Sequence, residues 1–424
     1  ARYVRMYAAL RILWISTGAG DVLAAASLTW LDLTADDRDK VRRVLDLFNE
    51  QGTVDELGLG SLRDTISNAL FPGTSVLHTR LRYVLFIPWI YQELESWGTG
   101  YDVDRYAREM EIQLIYALAE SDDTAGVIGI DAGESLSRLA SNAYWALLVH
   151  WGLFVPARPQ SWYHRNFDEL LARRSNVARA DDPGVTWTQQ PTWHPRLPKA
   201  PRDFPASADF ALTNEEADFL LGRIIERCGG TVLSWLAQEG STALADELWD
   251  EPAIAHAPDE IVSLVELARR FSLHIQGAPL LYNLLLAEMR HDKQLSDGDA
   301  DLIERYRGEL AEWASWEAEE AAFKPNQLWD LVMRQGGRLR DPQRRFIESW
   351  SAALAEHGPA AVADSDDLRH LVRTREQQLK GSRARVINNG RLLDWSGRTG
   401  TGRMQFRWPN VRQLLVDLHY GLLA

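Results

Sequence analysis

Two stretches of the chain carry arginines in surroundings suited to holding an anion. In "DWSGRTGTGRMQFRWPN", residues 394–410, Arg398, Arg403 and Arg407 alternate with Gly397, Gly400, Gly402, Phe406 and Trp408. Backbone N–H groups, guanidinium forks and aromatic faces in one loop can hold phosphates and stack bases. Arg385 lies just upstream. In "FPGTSVLHTRLRYVLFIPWIYQELE", residues 71–95, Arg80 and Arg82 run into an apolar stretch with Pro88 inside it, and Arg63 and Tyr83 lie near. Arginines leading into a buried, kinked helix could face a cleft and hold an anionic ligand. The candidate nucleic-acid or anion-binding residues are therefore Arg398, Arg403, Arg407, Trp408, Arg385, Arg80 and Arg82.

Charge sharpens one of these expectations. From Arg369 to the C-terminus there are eleven Lys or Arg against three acids, Glu376, Asp394 and Asp417, a net +8 within a chain of net −14. An acidic chain with a basic end does not coat nucleic acid uniformly, but its basic end can contact it. The alternative is that these cations pair with the acidic remainder and fold the tail back.

Motifs for catalysis fail one by one. No Gly-Lys pair exists for a phosphate-cradling loop, and neither G-x-S-x-G nor H-E-x-x-H occurs. No Lys stands two residues after an acid, and no two His are spaced i, i+4. "HDKQLSDGD", His291–Asp299, approaches the H-x-K-x4-D of phospholipase-D-type phosphodiesterases, but Gly298 occupies the position of the acid and there is no second copy. It reads as a polar turn whose acids start the next helix. "EWASWEAEEAAF" reads as a solvated helix face, with no inward His beside it to build a metal cluster. A lone Cys228 excludes an internal disulfide and a cysteine-based zinc site. These motifs name no catalytic residue, and no metal site or cofactor is expected.

The elements that must position these residues are helices. "ADDRDKVRRVLDLFNE" behind Thr34 has an apolar face of Val41, Val44, Leu45 and Phe48. Thr74 or Ser75 can cap a buried helix over 75–94, bent near Pro88. Within 126–156, a tight turn at Ala140-Ser141-Asn142 between two helices gives a helix-turn-helix-like unit, though without the basic residues of a groove reader. Six prolines in 181–210 make a stiff connector strapped down by Trp187, Trp193, Phe204 and Phe210. Thr213 caps a further helix with Glu216, and Pro279 is expected to begin a new one. Short β signals occur only at Arg385–Ile387 and Met404–Trp408. The fold class is mainly α, a multi-helix protein of two to three domains with a small β-containing basic C-terminal module. Its parts are an extension over 1–26, a helical domain over 27–160, the connector, a second helical domain over 211–356 and the basic module over 366–424.

Composition agrees with a soluble, cytoplasmic chain. The hydrophobic fraction of 46% supplies real cores, and seventeen tryptophans fit several well-packed ones. No apolar stretch reaches the ~20 residues of a membrane span. The first residues have the layout of a secretion signal, but Arg11 interrupts the apolar run.

Several long strings, "LTWLDLTADDRDKVRRVLDLF", "DELGLGSLRD", "LFPGTSVLHTRLRYVLFIPWIY", "YWALLVHWGL", "YNLLLAE" and "FRWPNVRQLLVDLHYGL", resemble an uncharacterised bacterial family, a domain of unknown function, over roughly residues 27–424. The family carries no assigned catalytic residue. The resemblance implies a place beside helicase and phospholipase-D-like proteins in antiphage defence clusters, an inference by association. The expectation is an accessory, non-catalytic subunit of a bacterial antiphage defence or DNA-processing system. It would bind DNA, RNA or a protein partner through the C-terminal module. Alternatives are an enzyme with an anion-binding cleft and a structural adaptor.

Overall fold

Apolar periodicity and capping residues place most helices where the sequence suggests. The computed structural model describes residues 55–177, 191–295, 299–337 and 340–424; the expected extension over 1–26 and the helix behind Thr34 lie outside them. In order, the helices are α1 (Gly60–Leu70), α2 (Tyr83–Ser96), α3 (Val103–Ala119), α4 (Ala140–His150), α5 (Gln160–Arg165), α6 (Phe167–Val177), α7 (Asn214–Cys228) and α8 (Val232–Glu239). They continue with α9 (Asp259–Asp292), α10 (Asp299–Glu319), α11 (Pro325–Arg334), α12 (Asp341–His357), α13 (Asp366–Lys380), α14 (Asn389–Leu393) and α15 (Trp408–Leu423). The protein is mainly helical. At α7, Thr213 accepts from Glu216 N–H while the Glu216 side chain accepts from Thr213 N–H, a reciprocal cap.

The β-containing module is not formed: the described residues hold no strand, only an isolated bridge between Phe154 and Trp193. At Met404–Trp408 the reason is backbone sign, since Phe406 and Arg407 have φ of +50° and +70°, outside the extended region. Around Arg385–Ile387 the donors are taken: Arg385 N–H and Val386 N–H both go to the Glu376 carboxylate, at 3.0 and 3.1 Å.

Two long helices, α9 and α10, pack side by side. Gly277 permits this approach, because a Cβ there would sit 2.5 Å from the Trp313 ring. Pro279 does not begin a helix as expected; it lies inside the 34-residue α9. Its missing donor leaves Ile275 without one helical bond, yet α9 continues through it, with Ile275, Ala278, Leu280 and Leu281 around it buried. The helix-turn-helix-like unit also resolves differently. Residues 126–139 are turns with one short 3₁₀ segment, and Ala140-Ser141-Asn142 is the first turn of α4, fixed by Ser141 N–H to Glu111 at 2.9 Å and Leu139 N–H to Asn142 at 3.1 Å.

The described residues all fall within one compact unit. The described end of the proline-rich connector is built into its core: Trp193 and Phe210 are buried, and Phe204 stacks on Phe86 at 5.6 Å. The closing helix α15 packs on α7, where Gly421 makes room for Leu212 and Ala217. Most of the described tryptophans are core, with Trp89, Trp151, Trp313, Trp350 and Trp408 fully buried and each indole N–H donating to a carbonyl. No helix among the described residues is long and apolar enough to cross a membrane.

Candidate functional site

Arg80 and Arg82 sit at the end of a non-helical stretch. The helix expected from residue 75 starts only at Tyr83, because tertiary partners hold residues 74–80 open. Asn410 donates to the carbonyls of Val76 and His78, Arg407 donates to that of Thr74, and the Tyr144 hydroxyl accepts from Thr79 and Arg80 N–H. Both arginines are buried. Arg80 bonds Asp417 at 3.0 Å and Asp123 at 2.5 Å; Arg82 bonds Asp209 at 2.7 Å and Glu216 at 2.9 Å. Burial pushes the Asp417 carboxyl up, against the pull of Arg80. Four carboxylates already occupy the two forks, Asp417 and Glu216 buried and Asp123 and Asp209 exposed, so an incoming anion would have to displace one of them.

The C-terminal arginines divide among separate neighbourhoods. Arg398 is exposed and donates from Nε to Thr401 Oγ1 at 2.8 Å. Arg403 lies over the Trp249 ring, 4.6 Å from its centroid. Arg407 donates to Asn68 Oδ1 at 2.7 Å and to Thr74 O at 2.8 Å, with Asp64 3.9 Å away. Trp408 is fully buried and stacks on Phe71, so its ring offers no face to a base. Arg385 pairs with Glu56 and reaches the Tyr282 hydroxyl at 3.4 Å. Arg398, Arg403 and Arg407 thus have different partners. The glycine-rich loop does border a pocket, through Gly400 and Gly402, but that pocket holds about 40 Å3 and Asp55 and Glu56 share its wall. Such a volume admits a few waters, and Arg63 stands with the two carboxylates on its wall.

Beneath that pocket lies the polar network that closes the fold. Glu56 accepts from Lys380, Arg385 and, at 3.0 Å, the Thr399 hydroxyl. Glu376, fully buried, accepts from Tyr282 at 2.6 Å and Lys380 at 2.8 Å, besides two backbone N–H groups. Burial pushes the Glu56 carboxyl up, but the hydrogen bonds from Arg385 and Lys380 outweigh it and hold the carboxyl below its ordinary value. Asn283 on α9 bonds both the N–H and the carbonyl of Thr399. The basic segment thus ties the start of the described chain to α9 and α13.

Two polar clusters escaped the sequence reading. Glu317, expected on a solvated face, is buried against α9, with His274 Nδ1 2.7 Å from one oxygen and Arg270 3.1 Å from the other. His274 Nε2 lies 2.8 Å from Ser351 Oγ. Nucleophile, base and acid are in line, yet Ser351 Oγ lies mid-helix and donates to Ile347 O at 2.9 Å. A hydroxyl inside a helix has no free backbone N–H beside it to hold an oxyanion. The signal was the spacing of Trp313 and Glu317, which puts both on one helix face. The second cluster centres on Glu111, buried on α3, whose carboxyl burial pushes up to about 7. One oxygen takes Ser141 N–H; the other has no partner. Ser141, Gln160, Tyr91 and His164 continue the chain of hydrogen bonds, and His164 Nδ1 meets Asp104 at 3.0 Å. Among the described residues no group of three or more His, Cys, Asp or Glu could hold a metal ion. The near-motif at His291 ends α9, and Asp299 opens α10 paired with Arg290 at 3.1 Å.

No curated protein and no solved structure matches this chain. One family profile does, over residues 25–420, nearly the whole length. The chain belongs to the family of unknown function DUF6361.

Proposed function

We propose that the protein is a non-catalytic accessory subunit that docks an acidic protein partner through the outward remainder of its basic C-terminal segment. One observation carries this reading. Once the internal pairs are made, Arg373, Arg383 and Arg398 remain exposed without a carboxylate, and Leu379, Ile387 and Leu393 in the same segment are exposed by 43, 52 and 54%. Apolar side chains interleaved with arginines suit a protein interface, where Arg is enriched and exposed aliphatic patches find cover. The setting implied by the resemblance is a bacterial antiphage defence or DNA-processing system, with helicase or phospholipase-D-like proteins as the partners to test first. DNA or RNA is the second reading, and the three unpaired arginines favour it. Arg80, Arg82, Arg385, Arg403, Arg407 and Trp408 contribute to the scaffold in either case.

The test is titration of the purified chain with such a partner and with single-stranded and duplex DNA. Replacing Leu379, Ile387 and Leu393 by Asp should abolish partner binding and leave the thermal midpoint unchanged. Partner binding that survives the triple change would count against the docking face. Loss confined to Arg373→Ala/Arg383→Ala with DNA would select the second reading.

A further inference from the structure

The stretch Met333–Phe346, "MRQGGRLRDPQRRF", holds Arg334, Arg338, Arg340, Arg344 and Arg345 against one acid, Asp341. Its described residues end α11 and begin α12. Beside them lies a cleft of about 570 Å3, within the range of small-molecule sites. Ser61 and Thr65 on α1 form one side, Arg340, Gln343 and Arg344 the other, and Trp329 and Val332 on α11 complete the lining.

The walls are held in place from behind. Gln343, buried, donates from Nε2 to Gly58 O at 2.6 Å and to Ser61 Oγ at 3.0 Å, which fixes the start of α12 against α1. Trp329 Nε1 and Arg344 Nε share one acceptor, Glu348 Oε1, at 3.1 and 2.8 Å. That single carboxylate serves Arg344. Arg340 is exposed, and its side chain has no hydrogen bond or ion pair with any residue described. Arg344 has Glu348 on its fork and also feels Asp341, whereas the Arg340 fork, at the extended residue that caps α12, meets no carboxylate. The positive end of the α12 dipole adds to the charge of that fork.

We propose that this cleft binds a phosphoryl group, with the forks of Arg340 and Arg344 as its charged contacts; the Ser61 and Thr65 hydroxyls beside them already donate to Gln343 Oε1 and Ser61 O, at 3.2 and 2.8 Å. A guanidinium fork matches phosphate oxygens two at a time. Trp329 is only 5% exposed, so its ring gives a base no stacking face. Recognition therefore goes through phosphate and is indifferent to base identity. The phosphoryl group comes from a free nucleotide or from a single-stranded nucleic acid. This site is separate from the C-terminal docking face.

The experiment uses the full chain with two probes read separately, ATP by calorimetry and a fluorescein-labelled oligothymidylate by anisotropy. Arg340→Ala/Arg344→Ala is compared with wild type and with Arg373→Ala/Arg383→Ala. The expected result is a loss of about tenfold or more for at least one probe in the cleft variant, and none in the C-terminal variant. For the oligonucleotide, the log–log salt slope should fall by about 0.7 per phosphate contact removed. The probe that loses binding identifies the source. Wild-type affinity in the cleft variant, no binding of either probe to the wild type, or an equal loss in the C-terminal variant would overturn the proposal. Both variants change exposed residues, and a melting curve confirms that each is folded.

Discussion

In the segment from Arg369 to Arg412, Arg369, Lys380, Arg385, Arg407 and Arg412 each meet a carboxylate elsewhere in the chain: Glu288, Glu56, Glu56, Asp64 and Asp246. In the stretch 333–346, Arg340 meets none and Arg344 shares a single Glu348 with Trp329. Both segments look alike in composition, yet one holds the fold together and the other leaves its charge facing a cleft. Density of arginine is therefore a poor guide to binding. What decides is whether the surrounding acids have already taken the forks, and burial strengthens that pairing as it removes water.

The comparison predicts graded losses of stability, measured by urea unfolding. The largest belongs to Arg80→Ala, which strands Asp417, 6% exposed, without its cation; about 3–5 kcal/mol should be lost. Arg82→Ala should cost a similar amount through Glu216. Next comes a pH effect at Glu111. Its folded carboxyl, raised from 4.5 to about 7, holds its proton more tightly than the unfolded one. Stability must then fall as pH rises across that window, by about 3 kcal/mol in total at 1.36 kcal/mol per unit. Glu111→Gln should flatten this part of the profile, and an unchanged slope would show that Glu111 does not titrate there.

Glu56→Gln is expected to cost about 1–3 kcal/mol at neutral pH, since charge-assisted hydrogen bonds from Lys380 and Arg385 are weakened. Glu56 is held below its ordinary value of 4.5 in the fold, so its contribution is present above pH 4.5 and fades as pH drops through the lower folded value. The gap between wild type and variant should close in acid. At the small end, Arg340→Ala/Arg344→Ala should change stability by no more than about 0.5 kcal/mol.

Helix content and much of the capping were legible because they are local. Thr213 with Glu216 needs only its own turn to be recognised, and the apolar run of α2 declares its burial. The start of α2 was not legible, since it depends on Asn410, Arg407 and Tyr144, distant side chains that bind the 74–80 backbone. The two absent strands failed for reasons of the same kind: a left-handed backbone at Phe406–Arg407 and a carboxylate from Glu376 that takes the donors of 385 and 386. Of the candidate site, the residues were findable as chemistry but not as availability. Charge counting ranked the C-terminal segment first because it is longer, while the cleft needs α1, nearly three hundred residues upstream, to supply its other wall.

The most direct test of this division compares the urea midpoints of Arg385→Met and Arg340→Met in the full chain at neutral pH. Methionine keeps most of the aliphatic length and removes the fork. The account predicts a clearly lowered midpoint with an unchanged m-value for Arg385→Met, and a midpoint indistinguishable from wild type for Arg340→Met. Equal midpoints for the two variants, or a larger drop for Arg340→Met, would contradict it.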